Sequence, residues 1–297
     1  MMKFGKVDDP SNIDFSLPND ASATAEVLKK GNERDGFEIY IGCAKWNRND
    51  LKGFYPKGVK DELGYYSKAF NSIELNATFY RMPDLVQVEK WKEKVPPGFR
   101  FCPKVTNTIS HFKRLLHAEK DIDQFCNAVA GFDGHLGISF LQLHDNFLPK
   151  DFDRLKGFLQ NFPQGIPLAV EVRNVQWMAD KAIFARYTDL LSSLDMSNVI
   201  VDTAGRRDLL HMHLTNGAAF VRYVGANAPT DYNRLDEWVE RVARWREMGL
   251  KQLYFFIHQN VEVESPLLAA YFIKGLNQTL NLKLKIPVKE VQENTLF

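Results

Sequence analysis

The sequence predicts an α/β chain folded as a (β/α)8 TIM barrel, and three observations carry that prediction. Eight short apolar runs alternate with stretches of helical period. Several of the runs, such as VIVD at Val199 and LYFF at Leu253, are almost continuously apolar, as in strands covered on both faces. Polar residues gather where these runs end, at the side on which TIM barrels build their sites.

The predicted strands are Glu38–Cys43, Ser72–Asn76, Phe99–Lys104, Gly137–His144, Pro167–Val172, Asn198–Asp202, Ala218–Val224 and Gln252–His258. Helical period appears between them. Asp84 is placed to cap a helix carrying Leu85, Val88 and Trp91, with Gln87 at the capping-box position. Leu235, Trp238, Val239, Val242 and Trp245 form the clearest stripe. A doubly wound open sheet is the alternative, weakened because Gly42 stands alone in IGCAKW, without a glycine-rich phosphate turn. Residues 1–37 are polar and contain Pro10 and Pro18. They read as an N-terminal extension to a barrel domain over 38–280, with 281–297 as a C-terminal tail.

Among the 297 residues, 45% are hydrophobic and 25% charged, the balance of a chain that buries a large core. Lysine and arginine total 38 against 37 acids, so no bulk electrostatic pull on nucleic acid follows. Cys43, Cys102 and Cys126 form no CxxC pair, and the N-terminus lacks a signal-peptide core. A cytoplasmic location without a membrane is the expectation. No cofactor fingerprint is present, and the cofactor is left unassigned.

Taken strand by strand, the polar ends supply Trp46; Glu74, Asn76 and Tyr80; Lys104 and His111; Gln142; Glu171 and Arg173; Asp202; Arg222; and His258. Glu74, Glu171, Lys104 and Asp202 are the candidate catalytic groups. Trp46, Tyr55, Asn76, Tyr80, His111, Gln142, Arg173, Arg222 and His258 are the candidate substrate contacts. Carboxylates beside fixed cations suit acid/base chemistry on a small polar or anionic, phosphorylated or sugar-like molecule, as in a hydrolase or lyase. The competing reading of Glu171 and Arg173 is an internal ion pair filling the barrel. Asp202 reads equally as the cap of the turn after its strand. His211 and His213 have the spacing of two metal ligands on one strand face, but the nearest acid in sequence is Asp208 and no nearby cysteine joins them, so no metal site is assigned. The alternative functions are a nucleic-acid-associated, endonuclease-like barrel and a non-catalytic ligand binder.

The runs IYIGCAKWNRNDLKGFYP, LGYYSKAFNSIELNATFYRMP and PPGFRFCPKVTNTISH, followed by LQLHDNF, AVEVRNVQW, VRYVGAN and YFFIHQN, resemble the domain of unknown function 72, or YecE-like, family. The resemblance spans about residues 38–276 and implies a TIM-barrel fold, but no reaction. It maps the family's motif positions onto Trp46, Tyr55, Glu74, Asn76, Thr78, Tyr80, Lys104, His111, Gln142, Glu171, Arg173, Asp202 and Arg222. Two departures stand out: Val224 occupies the place of a family His in the seventh strand, and His258–Gln259–Asn260 replaces an Asn-Asn pair in the eighth.

Overall fold

A computed structural model describes residues 5–30 and 36–288. The described chain opens on a short segment that leads into helix α1 (Ser22–Leu28). There follow β1 (Glu38–Cys43), α2 (Glu62–Ala69), β2 (Ser72–Leu75), α3 (Ala77–Tyr80), α4 (Leu85–Lys92) and β3 (Arg100–Pro103). The middle of the chain holds α5 (Glu119–Ala130), β4 (Ser139–Gln142), α6 (Phe152–Gln160), β5 (Leu168–Glu171), α7 (Gln176–Ala179), α8 (Lys181–Ser193) and β6 (Ser197–Thr203). It closes with β7 (Ala218–Gly225), α9 (Thr230–Glu247), β8 (Gln252–Gln259) and α10 (Ser265–Leu280). Residues 289–297 of the expected tail lie outside the described residues.

All eight predicted strands are present and parallel, but they form two sheets. Six run in the order β1-β8-β7-β6-β5-β4, a curled half-barrel surrounded by helices, and β2 pairs with β3. The expectation of a continuous eight-stranded ladder is therefore met only in part. At the β3–β4 edge the contact is reduced to bridges and two hydrogen bonds, Gly137 N–H to the Phe101 carbonyl (2.8 Å) and Val105 N–H to that of Phe140 (2.9 Å). Between β1 and β2 side chains replace the ladder. The Asn71 amide donates to the Ile39 carbonyl and accepts from Ile41 N–H, and the Tyr66 hydroxyl accepts from Cys43 N–H and donates to the Ser72 carbonyl. Gly42 is required here, because a Cβ would lie 2.1 Å from the Ser72 oxygen.

Strand alternation sorts the core into two layers. Leu253, Phe255 and Ile257 of β8 pack outward with Leu235, Trp238, Val242 and Trp245 of α9. Tyr254 and Phe256 turn to the concave side, beside Tyr40, Cys102, Phe140, Ala169, Val199, Val201 and Phe220. Each large side chain so buried contributes about 1.5–3 kcal/mol. The caps are local: Asp84 accepts from Gln87 N–H at 2.8 Å, as the sequence predicts, and Asp180 caps α8. The N-terminal stretch lies across α9 and the β6–β7 connection. Asp20 accepts from Arg241 and Trp245, and the Gly5 carbonyl accepts from Thr203. Among the described residues no helix is long and apolar enough to cross a membrane.

Candidate functional site

The concave apolar layer ends abruptly at the C-terminal ends of the strands. Two residues beyond Ser72, Cys102, Phe140, Ala169, Phe220 and Phe256 stand Glu74, Lys104, Gln142, Glu171, Arg222 and His258. A spacing of two keeps side chains on one face, so six strands deliver six polar groups to one place. They form one hydrogen-bonded network.

Arg222 is its hub. It grips Glu74 in a two-pronged pair, Nε to Oε2 and Nη2 to Oε1 at 2.9 Å each, and donates from Nη1 to Glu171 Oε2 at 2.7 Å. Glu171 also accepts from Arg173 Nε at 2.6 Å and from the Gln142 amide at 3.0 Å. Glu74 accepts from Asn76 Nδ2 at 2.7 Å and lies 2.9 Å from His258 Nε2. Both carboxylates are buried. Burial alone raises the Glu171 carboxyl, but the Arg222 and Arg173 charges outweigh it and hold it at about 2. Burial opposes ionisation of Glu74 too, and Arg222 and His258 carry it well below the usual carboxylate range. His258 is the register neighbour of Val224, the position where the family resemblance implies a His.

Lys104 is treated differently. Its ammonium, 7% exposed as a residue, donates to Gln142 Oε1 at 2.8 Å and lies over the Phe79 ring at 4.1 Å and the Phe140 ring at 5.7 Å. Among the described residues no carboxylate lies within 4 Å of it, because the two nearby are taken by arginine. Burial, and after it the Arg222 charge, lowers this amine to about 7. His111 is brought beside it, with its ring 5.0 Å from Phe79 and 5.1 Å from His144, and Nδ1 2.8 Å from the Ser110 hydroxyl. Burial, with His144 and Lys104 nearby, lowers His111 to about 4, so its imidazole is neutral at pH 7.

The connection after Lys104 is unusual. Residues Thr108–Phe112 form a π-helical turn, a geometry frequent at functional sites. Arg114, Leu115 and His117 then take positive φ, at 50°, 68° and 50°. For a bulky Leu this backbone costs on the order of 1 kcal/mol or more. Thr78 ties the opposite side down, its hydroxyl lying 2.9 Å from the Leu75 carbonyl and 2.7 Å from that of Lys104.

Four expected site residues lie elsewhere. Asp202 follows Val201 by one residue, so its side chain leaves through the outer face. There it accepts from Arg234 at 2.7 Å, Trp238 at 2.8 Å and also Arg207. It is neither beside the network nor the cap of its turn. Tyr55 is buried under Phe54 and Tyr65, with its hydroxyl donating to the Trp46 carbonyl. Trp46 packs edge-on to Trp91 at 6.1 Å. Tyr80 is 77% exposed, because residues 77–80 coil into a helical turn that brings Phe79, not Tyr80, over Lys104. The predicted strand ends at Asn76, and nothing in the sequence beyond it distinguishes Phe79 from Tyr80. His211 and His213 pack on Phe184, and among the described residues no three His, Cys, Asp or Glu side chains gather as a metal-holding group.

The model of the family described as "Protein of unknown function DUF72" matches residues 40–292. UPF0759 protein YecE of Escherichia coli K12 is 28% identical over 281 residues, covering 87% of this chain and all of that protein. Two solved structures share the TIM-like fold. A DUF72 family protein of Enterococcus faecalis V583 has a TM-score of 0.66 at 19% identity, covering 84% of this chain and all of that one. One of Thermotoga maritima MSB8 has a TM-score of 0.65 at 22% identity, covering 81% and 99%. With the family model spanning most of its length, and the network built on the runs that carry the likeness, this chain belongs to the DUF72 family.

Proposed function

We propose that this protein is an enzyme acting on a small polar or anionic molecule at the C-terminal ends of its strands, with Lys104 as the group that gains and loses a proton. The reading takes the eight strands as one closed (β/α)8 barrel, its two weak seams bridged by Asn71, Tyr66 and the Lys104–Phe140 contact. In such a barrel this end carries the chemistry.

The observation behind the proposal is the uneven treatment of the buried charges. Glu74 and Glu171 are locked to arginine, which suits them to hold geometry rather than to exchange protons. Arg222 spends its donors on the carboxylates and is a strut, not a substrate clamp. Among the described residues Lys104 makes one side-chain hydrogen bond, and its amine titrates near neutrality, where acid/base groups work best. With Lys104 charged, three cations (Lys104, Arg173 and Arg222) face two carboxylates, an excess that favours an anionic ligand.

Thermal unfolding of the full chain with phosphate, citrate and glucose 6-phosphate tests this. Concentration-dependent stabilisation of the wild type that is lost in Lys104→Met supports the reading. No stabilisation by any of the three, or equal stabilisation of the variant, contradicts it.

A further inference from the structure

We propose that Lys104 is a nucleophile that forms an imine with a small aldehyde or ketone carrying a carboxylate or phosphate. This rests on the functional reading above and names its substrate class.

Lysine serves two ends in buried sites. One is a fixed positive charge, which a neighbouring carboxylate preserves. The other is a neutral amine, which desolvation and neighbouring cations produce. The surroundings of Lys104 are of the second kind. Both carboxylates in reach are already bound by Arg222 and Arg173, leaving Lys104 the neutral amide oxygen of Gln142. The Gln142 amide nitrogen donates to both Glu171 oxygens, which fixes its carbonyl oxygen toward the amine. Phe79 and Phe140 wall the amine with apolar surface, and the two guanidiniums penalise a third charge. A fixed anion clamp gains nothing from such an arrangement. An amine that must present a lone pair does.

The chemistry closes without any further reactant. The Lys104 nitrogen adds to the carbonyl carbon, a C–N bond forms, and the carbonyl π pair moves to oxygen, which takes up a proton. The nitrogen releases one of its protons, the hydroxyl departs as water with a proton supplied by solvent, and a protonated imine remains. In sum, amine, carbonyl compound and one proton give iminium and water. The iminium is an electron sink for breaking a C–H or C–C bond at the neighbouring carbon. The iminium carries the same positive charge as the ammonium, and the guanidiniums and apolar walls that penalise the one penalise the other, which sharpens its pull on electrons.

The test uses the full chain at pH 7 with sodium cyanoborohydride and, separately, pyruvate and glyceraldehyde 3-phosphate, followed by peptide mass spectrometry. An ordinary lysine is neutral in about one molecule in 2,500 at this pH, so a lysine built for imine formation reacts at least about ten-fold faster. The expected result is one adduct per chain, on the Lys104 peptide, suppressed by competing phosphate and absent from Lys104→Met. No Lys104 adduct with either probe, or labelling no faster than on exposed lysines, overturns the imine. If Lys104-dependent stabilisation by anions survives that result, only the imine fails. If the stabilisation is absent as well, the functional reading falls with it.

Discussion

Among the described residues two buried ion clusters stand on opposite faces of the strands, and they differ in charge balance. On the outer face Asp202 and Asp231 meet Arg234 and Arg207, two acids against two bases, with Trp238 adding a neutral donor. On the concave face Glu74 and Glu171 meet Arg222, Arg173 and Lys104. The balanced cluster sits under a helix and the N-terminal stretch and ties them to the sheet, with Phe15 stacked 4.5 Å from the Arg234 guanidinium. The unbalanced one sits at the strand ends and leaves one amine without an acid. Burial of charge is common to both, so burial alone does not mark a site. On the function proposed above, the surplus cation does.

The largest effects should not tell the clusters apart. Arg222→Met leaves Glu74 and Glu171 buried without their shared partner, and Arg234→Met does the same to Asp202 and Asp231. Each should cost about 3–5 kcal/mol in urea unfolding. A loss below about 1 kcal/mol at either position would mean that water reaches that cluster.

Smaller changes should separate them. Asp202→Asn and Glu171→Gln each weaken charged hydrogen bonds and should cost about 1.5–3 kcal/mol. Only Glu171→Gln should also move the titration of Lys104, downward, since the Glu171 charge is among those that support its ammonium. A shift of equal size in Asp202→Asn would couple the two clusters and undo the comparison.

The pH dependence of stability follows from the same amine. Folded Lys104 releases its proton near 7 and the unfolded chain near 10.4, so between these values the unfolded chain binds more protons. Stability therefore rises with pH across this window relative to Lys104→Met, and the two converge in slope below it. Paired urea titrations at pH 6.5 and 9.5 measure the difference. The least effect is expected at Tyr55, whose hydroxyl serves the Trp46 carbonyl outside both clusters. Tyr55→Phe should cost about 1 kcal/mol and leave anion stabilisation unchanged.

Much of this arrangement was legible in the sequence, for a physical reason. A strand exposes its period, so Glu74, Gln142, Glu171 and Arg222 could be assigned to the same end of the strands from their place in apolar runs. The same alternation, applied strictly, also excludes Asp202, because Val201 beside it belongs to the concave layer. What parity could not supply was conformation after a strand ends. The helical turn at 77–80 exchanged Tyr80 for Phe79, and the π turn at 108–112 set His111 beside it. Nor could spacing say which acid would be claimed by which base. That depends on Arg222 reaching two carboxylates from different strands, 148 and 51 residues away in sequence.

The most direct measurement is the titration of Lys104 itself, by competitive acetylation across pH 5–11 with peptide mass spectrometry. The account predicts reactivity that rises with a midpoint near 7, well apart from the exposed lysines. A midpoint near 10.4, shared with them, would make Lys104 an ordinary ammonium and the concave cluster a structural ion core like its counterpart on the outer face.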